Sequence, residues 1–139
     1  MSEQLVNLEK IEQEDLLKVL DQYLVEYQID KDGDIFLENP TRLYLELNKD
    51  KGVLRMYGFI HYNDYPNAEY IPAFVERLNK NSYTLSYDII NGKSVICEYS
   101  IYLLGSVDDR LIIKSIKKTE SEIINTKEFL FYAKEITEE

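Results

Sequence analysis

Apolar positions recur along this chain in two different periods, and the alternation between them sets out its elements. Between Glu12 and Ile29, residues Leu16, Leu20, Tyr23, Leu24 and Tyr27 stand three and four apart, which is the spacing of one face of an α-helix. Glu14, Asp15, Lys18, Asp21 and Glu26 fall mostly off that stripe, and acids in a first turn suit the helix dipole. Residues 1–11 carry no comparable pattern and are expected to form a loose lead-in or a short helical turn.

The period then changes to two. Ile35-Phe36-Leu37 is a short strand, and Asn39-Pro40 breaks it. From Thr41 to Leu47, Leu43, Leu45 and Leu47 share one face, with Arg42, Tyr44 and Glu46 on the other. The loop NKDKG (Asn48 to Gly52) leads to a further strand from Val53 to about His61, so three antiparallel strands are expected in sequence order. YNDYPN (Tyr62 to Asn67) is turn chemistry. Asn67 can cap a helix running to about Lys80, with Tyr70, Ile71, Phe74, Val75 and Leu78 as its apolar face. Pro72 then sits near the first turn, where its missing N–H matters little.

Ser82 to Ile90 alternates again, with Tyr83, Leu85, Tyr87 and Ile89 on one side. Asn91-Gly92 is the strongest hairpin signal in the chain. It leads to Lys93–Leu103, which places Val95, Cys97, Tyr99, Ile101 and Leu103 on one face before Gly105 ends the strand. Ser106-Val107-Asp108-Asp109 resembles a capping box, and Ile112, Ile116, Ile123, Leu130 and Phe131 continue at helical spacing. The preferred reading is one long final helix, kinked near Thr119. The alternative makes Arg110–Lys118 a sixth strand followed by a shorter helix capped by Thr119-x-x-Glu122. The order α-β-β-β-α-β-β-α argues for a single α+β domain over residues 1–139, an antiparallel sheet of about five strands with helices packed on it.

Composition narrows what such a domain does. The 139 residues carry a net charge of −10, unevenly spread: residues 1–39 hold eleven acids against three bases, and residues 106–139 eight against six. Such a chain repels phosphate backbones, so nucleic acid is not an expected partner. The acidic front third suits either solubility or a basic protein partner. No apolar run is long enough to span a membrane. MSEQLVNLEK has neither a basic start nor an apolar stretch, so no secretory signal is expected and a cytoplasmic location is the simplest expectation. The single cysteine, Cys97, excludes an intrachain disulfide. It falls on an apolar row and is expected to be a small core hydrophobe, not a nucleophile.

DKDGDIFLE (Asp30 to Glu38) has the three alternating aspartates that open a calcium loop. The sixth position of such a loop must be glycine and here is Ile35. The twelfth should be a bidentate Glu and is Thr41. The stretch is instead expected to be a turn in which Gly33 takes a positive φ. His61, the only histidine, has neither a second His nor a Cys nearby for a metal cluster, and is expected at a strand end on the surface. Glu12, Glu14 and Asp15 lie close together, as do Asp108 and Asp109, but neither group is framed by apolar pocket residues. No phosphate-binding glycine loop, nucleophile elbow or zinc spacing is present. No catalytic, metal or cofactor-binding residue is therefore assigned. Tyr44, Tyr57, Tyr62, Tyr65 and Tyr70 gather around the first hairpin and the loop after it, and are candidate partner-binding residues.

DKDGDI joining helix to strand, VERLNKNSYTLSYDIINGKSVICEYSIYL (Val75 to Leu103) running a helix into a hairpin, and GSVDD (Gly105 to Asp109) opening a final helix together resemble the YbjN-like family. The fold of that family is similar to that of type III secretion chaperones. The resemblance spans about residues 12–135. It implies a proposed sensory or stress regulator without a defined activity. The chaperones of this fold are small, acidic homodimers that hold an extended partner segment on apolar surface, and neither group has catalytic residues to carry over. The tyrosine-rich strands and the basic Lys114, Lys117 and Lys118 depart from the chaperone pattern. The expectation is a non-enzymatic protein-binding homodimer, chaperone-like or regulatory. An acidic immunity-type protein that neutralises a toxin is the first alternative, and a small α+β enzyme the second.

Overall fold

The computed structural model describes residues 5–7, 12–48, 50–82, 84–103 and 106–133. Helix α1 (Gln13–Gln22) follows a short strand β1 (Leu5–Asn7). Strands β2 (Gln28–Ile29), β3 (Ile35–Leu37), β4 (Leu43–Asn48) and β5 (Val53–His61) come next, then a 3₁₀ turn (Ala68–Tyr70) and α2 (Ile71–Asn81). Strands β6 (Ser86–Ile90), β7 (Ser94–Tyr102) and β8 (Ser106–Asp108) precede the long α3 (Asp109–Tyr132). Six strands form one antiparallel sheet in the order β2-β3-β4-β5-β7-β6, and β1 pairs separately with β8. The α+β class is as expected. The sheet has one strand more than the sequence suggests, because the helical spacing of apolar residues runs on through Tyr27 and masks β2.

That difference has a local cause. Helix α1 stops at Gln22 in a Schellman motif: Val25 N–H reaches the Leu20 carbonyl at 2.9 Å, Leu24 N–H reaches Asp21 at 3.1 Å, and Leu24 takes φ +60°. This left-handed position is normally filled by glycine, so the leucine hides the stop signal. Leu24 does not join the core stripe; it is 89% exposed. The freed chain then forms β2. The turn Asp30–Asp34 closes a β2–β3 hairpin, with Gly33 at φ +86° and Asp30 Oδ1 accepting from the Asp32 and Asp34 N–H groups at 3.0 and 2.9 Å. The stretch is a turn as expected, but between two strands.

Two further boundaries move. Helix α2 begins at Ile71, with Pro72 in its first turn. Asn67 caps the other end of a different helix: its Nδ2 donates to the Leu130 and Ala133 carbonyls at the end of α3. Asp108, and not Ser106, caps α3, its carboxylate accepting from Arg110 N–H at 2.9 Å. With Ser106–Asp108 paired as a strand, Arg110–Lys118 is helical. Asn91-Gly92 forms the expected hairpin, both residues at positive φ (56° and 66°). Tyr83 and Gly105 lie outside the described residues.

The core lies on one face of the sheet. Leu43, Leu45, Leu54, Met56, Ile60, Val95 and Cys97 point inward from it, against Ile112, Ile116, Thr119 and Ile123 of α3. Helix α1 packs on α3, and α2 lies beside β6. Among the described residues no helix is long and apolar enough to cross a membrane.

A candidate aromatic binding face

With the helices on one side, the residues alternating with the core rows face away from them. The strand registers align Phe36, Tyr44, Tyr57 and Glu98 in one row across β3, β4, β5 and β7. Period-two spacing along β5 adds Arg55, Phe59 and His61. The rings are in mutual contact. Tyr44 and Tyr57 stack with centroids 5.3 Å apart, Phe36 lies 5.6 Å from Tyr44, and Phe59 meets Tyr57 edge-on at 5.8 Å. His61 stacks on Phe59 at 6.3 Å and bonds Ser94 Oγ through Nδ1 at 2.6 Å.

Two guanidinium groups flank the row. Arg42 lies 4.6 Å over the Phe36 ring and Arg55 4.2 Å over Tyr57, an arrangement in which the ring face attracts the cation. Arg42 pairs with Glu38, while Arg55 bridges Glu46 and Glu98. These pairs fix the arginines over the rings and leave the named charges at two positive against three negative. Partial burial, and next the Glu46 carboxylate, push the Tyr57 hydroxyl above its ordinary pKa, so it stays a neutral donor. Phe36 is buried beneath its neighbours, Tyr44 and Tyr57 are half-buried, and Phe59 and His61 are exposed. The face can take up flat apolar groups and offers hydroxyl and imidazole groups for hydrogen bonds.

Of the five tyrosines singled out from the sequence, Tyr44 and Tyr57 stand on this face and the other three do not. Tyr62 is 3% exposed, in the core. Tyr65 packs edge-on against Phe131 of α3 at 5.0 Å, and Tyr70 lies at the start of α2, partly buried. Arg42, Arg55, Phe36, Phe59 and His61 were missed as members of the site. Alternation along Val53–His61 could have found three of them. Cys97 is fully buried, and burial pushes its thiol up to about 12.

A separate feature lies at the far end of α1. Asp21, Leu24, Val25, Glu38 and Lys117 contribute to a cleft of about 930 Å³, with Glu120 of α3 at its wall. Glu120 is 3% exposed, and burial pushes its carboxyl up to about 6, against the pull of Lys117. Its position four residues after Ile116 and three before Ile123 puts it on the buried stripe, a signal present in the sequence.

No family model matches the chain, and no curated protein matches it. Solved structures do. An α+β domain with a six-stranded sheet and this helix order is similar to YbjN from E. coli, a proposed transcription regulator. The TM-score is 0.67 at 13% identity, over 86% of this chain and 91% of that one. It is also similar to an uncharacterized protein from Methanothermobacter thermautotrophicus, with TM-score 0.54 at 16% identity, over 86% of this chain and 98% of that one. The chain thus has a YbjN-like fold; at these identities the likeness is one of fold.

Proposed function

We propose that this chain is a non-enzymatic binding module of regulatory or chaperone-like type, whose open sheet face holds a segment of a protein partner. The observation that carries the reading is the contiguous row Phe36–Tyr44–Tyr57–Phe59–His61 on a sheet face that no described helix covers. Aromatic and arginine side chains supply most hot-spot energy in protein interfaces. Here they are held in place by ring stacking and by ion pairs, so little side-chain entropy remains to be lost on binding. The YbjN-like fold, with a neighbour proposed to regulate transcription, is compatible with a regulator acting through protein contacts. The net charge of −10 disfavours direct DNA contact and favours a basic partner.

Homodimerisation is part of the proposal. The test is affinity purification from the native cell with the wild-type chain and with a Tyr57→Ser/Phe59→Ser double variant. A protein recovered by the first and lost by the second, with the fold intact by circular dichroism, supports the reading. Equal recovery by both refutes it. Sedimentation as a monomer at high micromolar concentration removes the homodimer.

A further inference from the structure

The cleft between the end of α1 and the middle of α3 carries four carboxylates, from Asp21, Glu26, Glu38 and Glu120; among its described lining residues Lys117 is the one cation, and Glu38 is already paired with Arg42. Three of the acids are exposed and come from α1, the loop after it and the end of β3, and alone they would be a solvated acidic patch. Glu120 is different. It is 3% exposed and lines the cleft, and no hydrogen bond or ion pair joins it to another described residue. Its carboxylate opens only onto the cleft, and a charge drawn this far out of water without a bonded partner is costly to keep.

The rim breaks a second local rule. Leu24 stands in a left-handed backbone position that disfavours β-carbons, and is 89% exposed. It and Val25 give the cleft an apolar edge beside its charges. Exposed leucine, strained backbone and an unpaired buried acid in one cleft fit a ligand that has both charge and hydrocarbon.

The arrangement does not suit a compact metal ion. Among the described residues, only Asp30, Asp32 and Asp34 bring three possible ligand atoms within 4.8 Å of one another, and they lie outside this cleft. No three of the cleft acids bring ligand atoms that close together. Separate carboxylates around a volume of about 930 Å³, within the usual range of small-molecule sites, instead match separate positive groups on a flexible chain.

We propose that this cleft binds an extended organic cation, amine or guanidinium groups carried on an aliphatic chain, with Glu120 as the buried anchor and Leu24 and Val25 against the hydrocarbon. Free polyamines and the side chains of a basic peptide share this chemistry. Glu38 links the two sites through its pair with Arg42, but Glu120, Leu24 and Val25 have no part in the aromatic face, so either proposal can fail without the other.

Calorimetric titration of the full chain with spermidine, agmatine and a lysine- and arginine-rich peptide tests it. Saturable binding of at least one is expected, weakened about tenfold or more in Glu120→Gln, as for loss of one charge-assisted contact. Asp32→Asn, outside the cleft, is expected to bind as the wild type does. Binding of the amines alone assigns the site to a free polyamine, and binding of the peptide alone to a protein side chain. Absence of binding by all three at millimolar concentration overturns the proposal. So does binding that Asp32→Asn weakens as much as Glu120→Gln, since that is diffuse attraction to an acidic chain. Retained binding in a folded Glu120→Gln variant removes Glu120 as the anchor.

Discussion

Tyr44 and Tyr57 stand directly opposite each other on β4 and β5, ring centroids 5.3 Å apart and planes 17° from parallel. Cross-strand pairs are the unit of sheet stabilisation, and stacked aromatic pairs contribute about 0.5–1.5 kcal/mol beyond their buried area. A double-mutant cycle with Tyr44→Ala and Tyr57→Ala, read by chemical denaturation, is expected to show a coupling of about that size. Strictly additive single effects would mean that the rings pack independently.

Gly58 lies between Met56 and Ile60 on the core side of β5. A β-carbon there would stand 2.9 Å from the Arg42 carbonyl oxygen and 3.2 Å from Ile123 Cδ1. Alanine normally suits a strand better than glycine, so the sign here is set by the close approach of backbone. Gly58→Ala is expected to destabilise by about 1–3 kcal/mol, the usual cost of overpacking. A thermal melt at or above the wild-type temperature would show that the β4 entry loop can give way.

How far the sequence foretold these features depends on whether the signal was local. Asn91-Gly92 needs positive φ at two adjacent positions, and both residues supply it readily, so that hairpin was legible. Leu24 supplies no such sign: its left-handed conformation goes with the hydrogen bonds that end α1, Val25 N–H to the Leu20 carbonyl and Leu24 N–H to the Asp21 carbonyl, and the helical spacing runs on across β2. Asp108, not Ser106, caps α3 because Ser106–Asp108 pairs with β1, a long-range contact that no local signal carries. For the site, alternation put Tyr44 and Tyr57 off the leucine rows. Their contact with Phe36 depends on the registers of β3, β4 and β5, which two loops set and no single strand reveals. Tyr62, Tyr65 and Tyr70 followed Tyr57 in sequence but not in space, because the chain leaves the sheet at His61.

Cys97 lies at the centre of β7 with no exposed surface, its thiol pushed up to about 12 by burial. The thiolate is the reactive form. Labelling with a disulfide reagent at pH 8 is therefore expected to be slow in the folded protein and fast in denaturant, at a native rate that follows opening of the sheet. Immediate labelling without denaturant would place Cys97 at the surface.

Asp30 Oδ1 accepts two backbone N–H groups in the β2–β3 turn. Asp30→Ala is expected to cost about 1 kcal/mol, the net value of such bonds near the surface. The carboxylates of Asp30, Asp32 and Asp34 come within 4.8 Å of one another, yet Ile35 and Thr41 stand where a calcium loop needs glycine and glutamate. Calcium titration is expected to leave the melting temperature of the wild type unchanged. A saturable rise abolished by Asp30→Ala would make the turn a metal site.

Glu120 ties stability to pH in the direction opposite to most carboxylates. Burial raises its folded value to about 6 from an ordinary 4.5, with Lys117 acting the other way; Asp21, Glu26 and Glu38 are the other charged groups of the cleft it faces. A raised carboxyl disfavours the charged form in the folded state. Its contribution is thus fully present below about pH 4.5 and is lost as the pH rises through 6, by up to about 2 kcal/mol. Glu120→Gln removes the charge and keeps the shape. The variant is expected to be more stable than the wild type at pH 7 by about 1–2 kcal/mol, the advantage shrinking to nothing near pH 4. Urea denaturation of both proteins across that range isolates the term, since every other titrating group is common to the two. A difference that does not change with pH would show that the carboxylate is fully solvated through the cleft, and that the stripe of α3 bears its charge without strain.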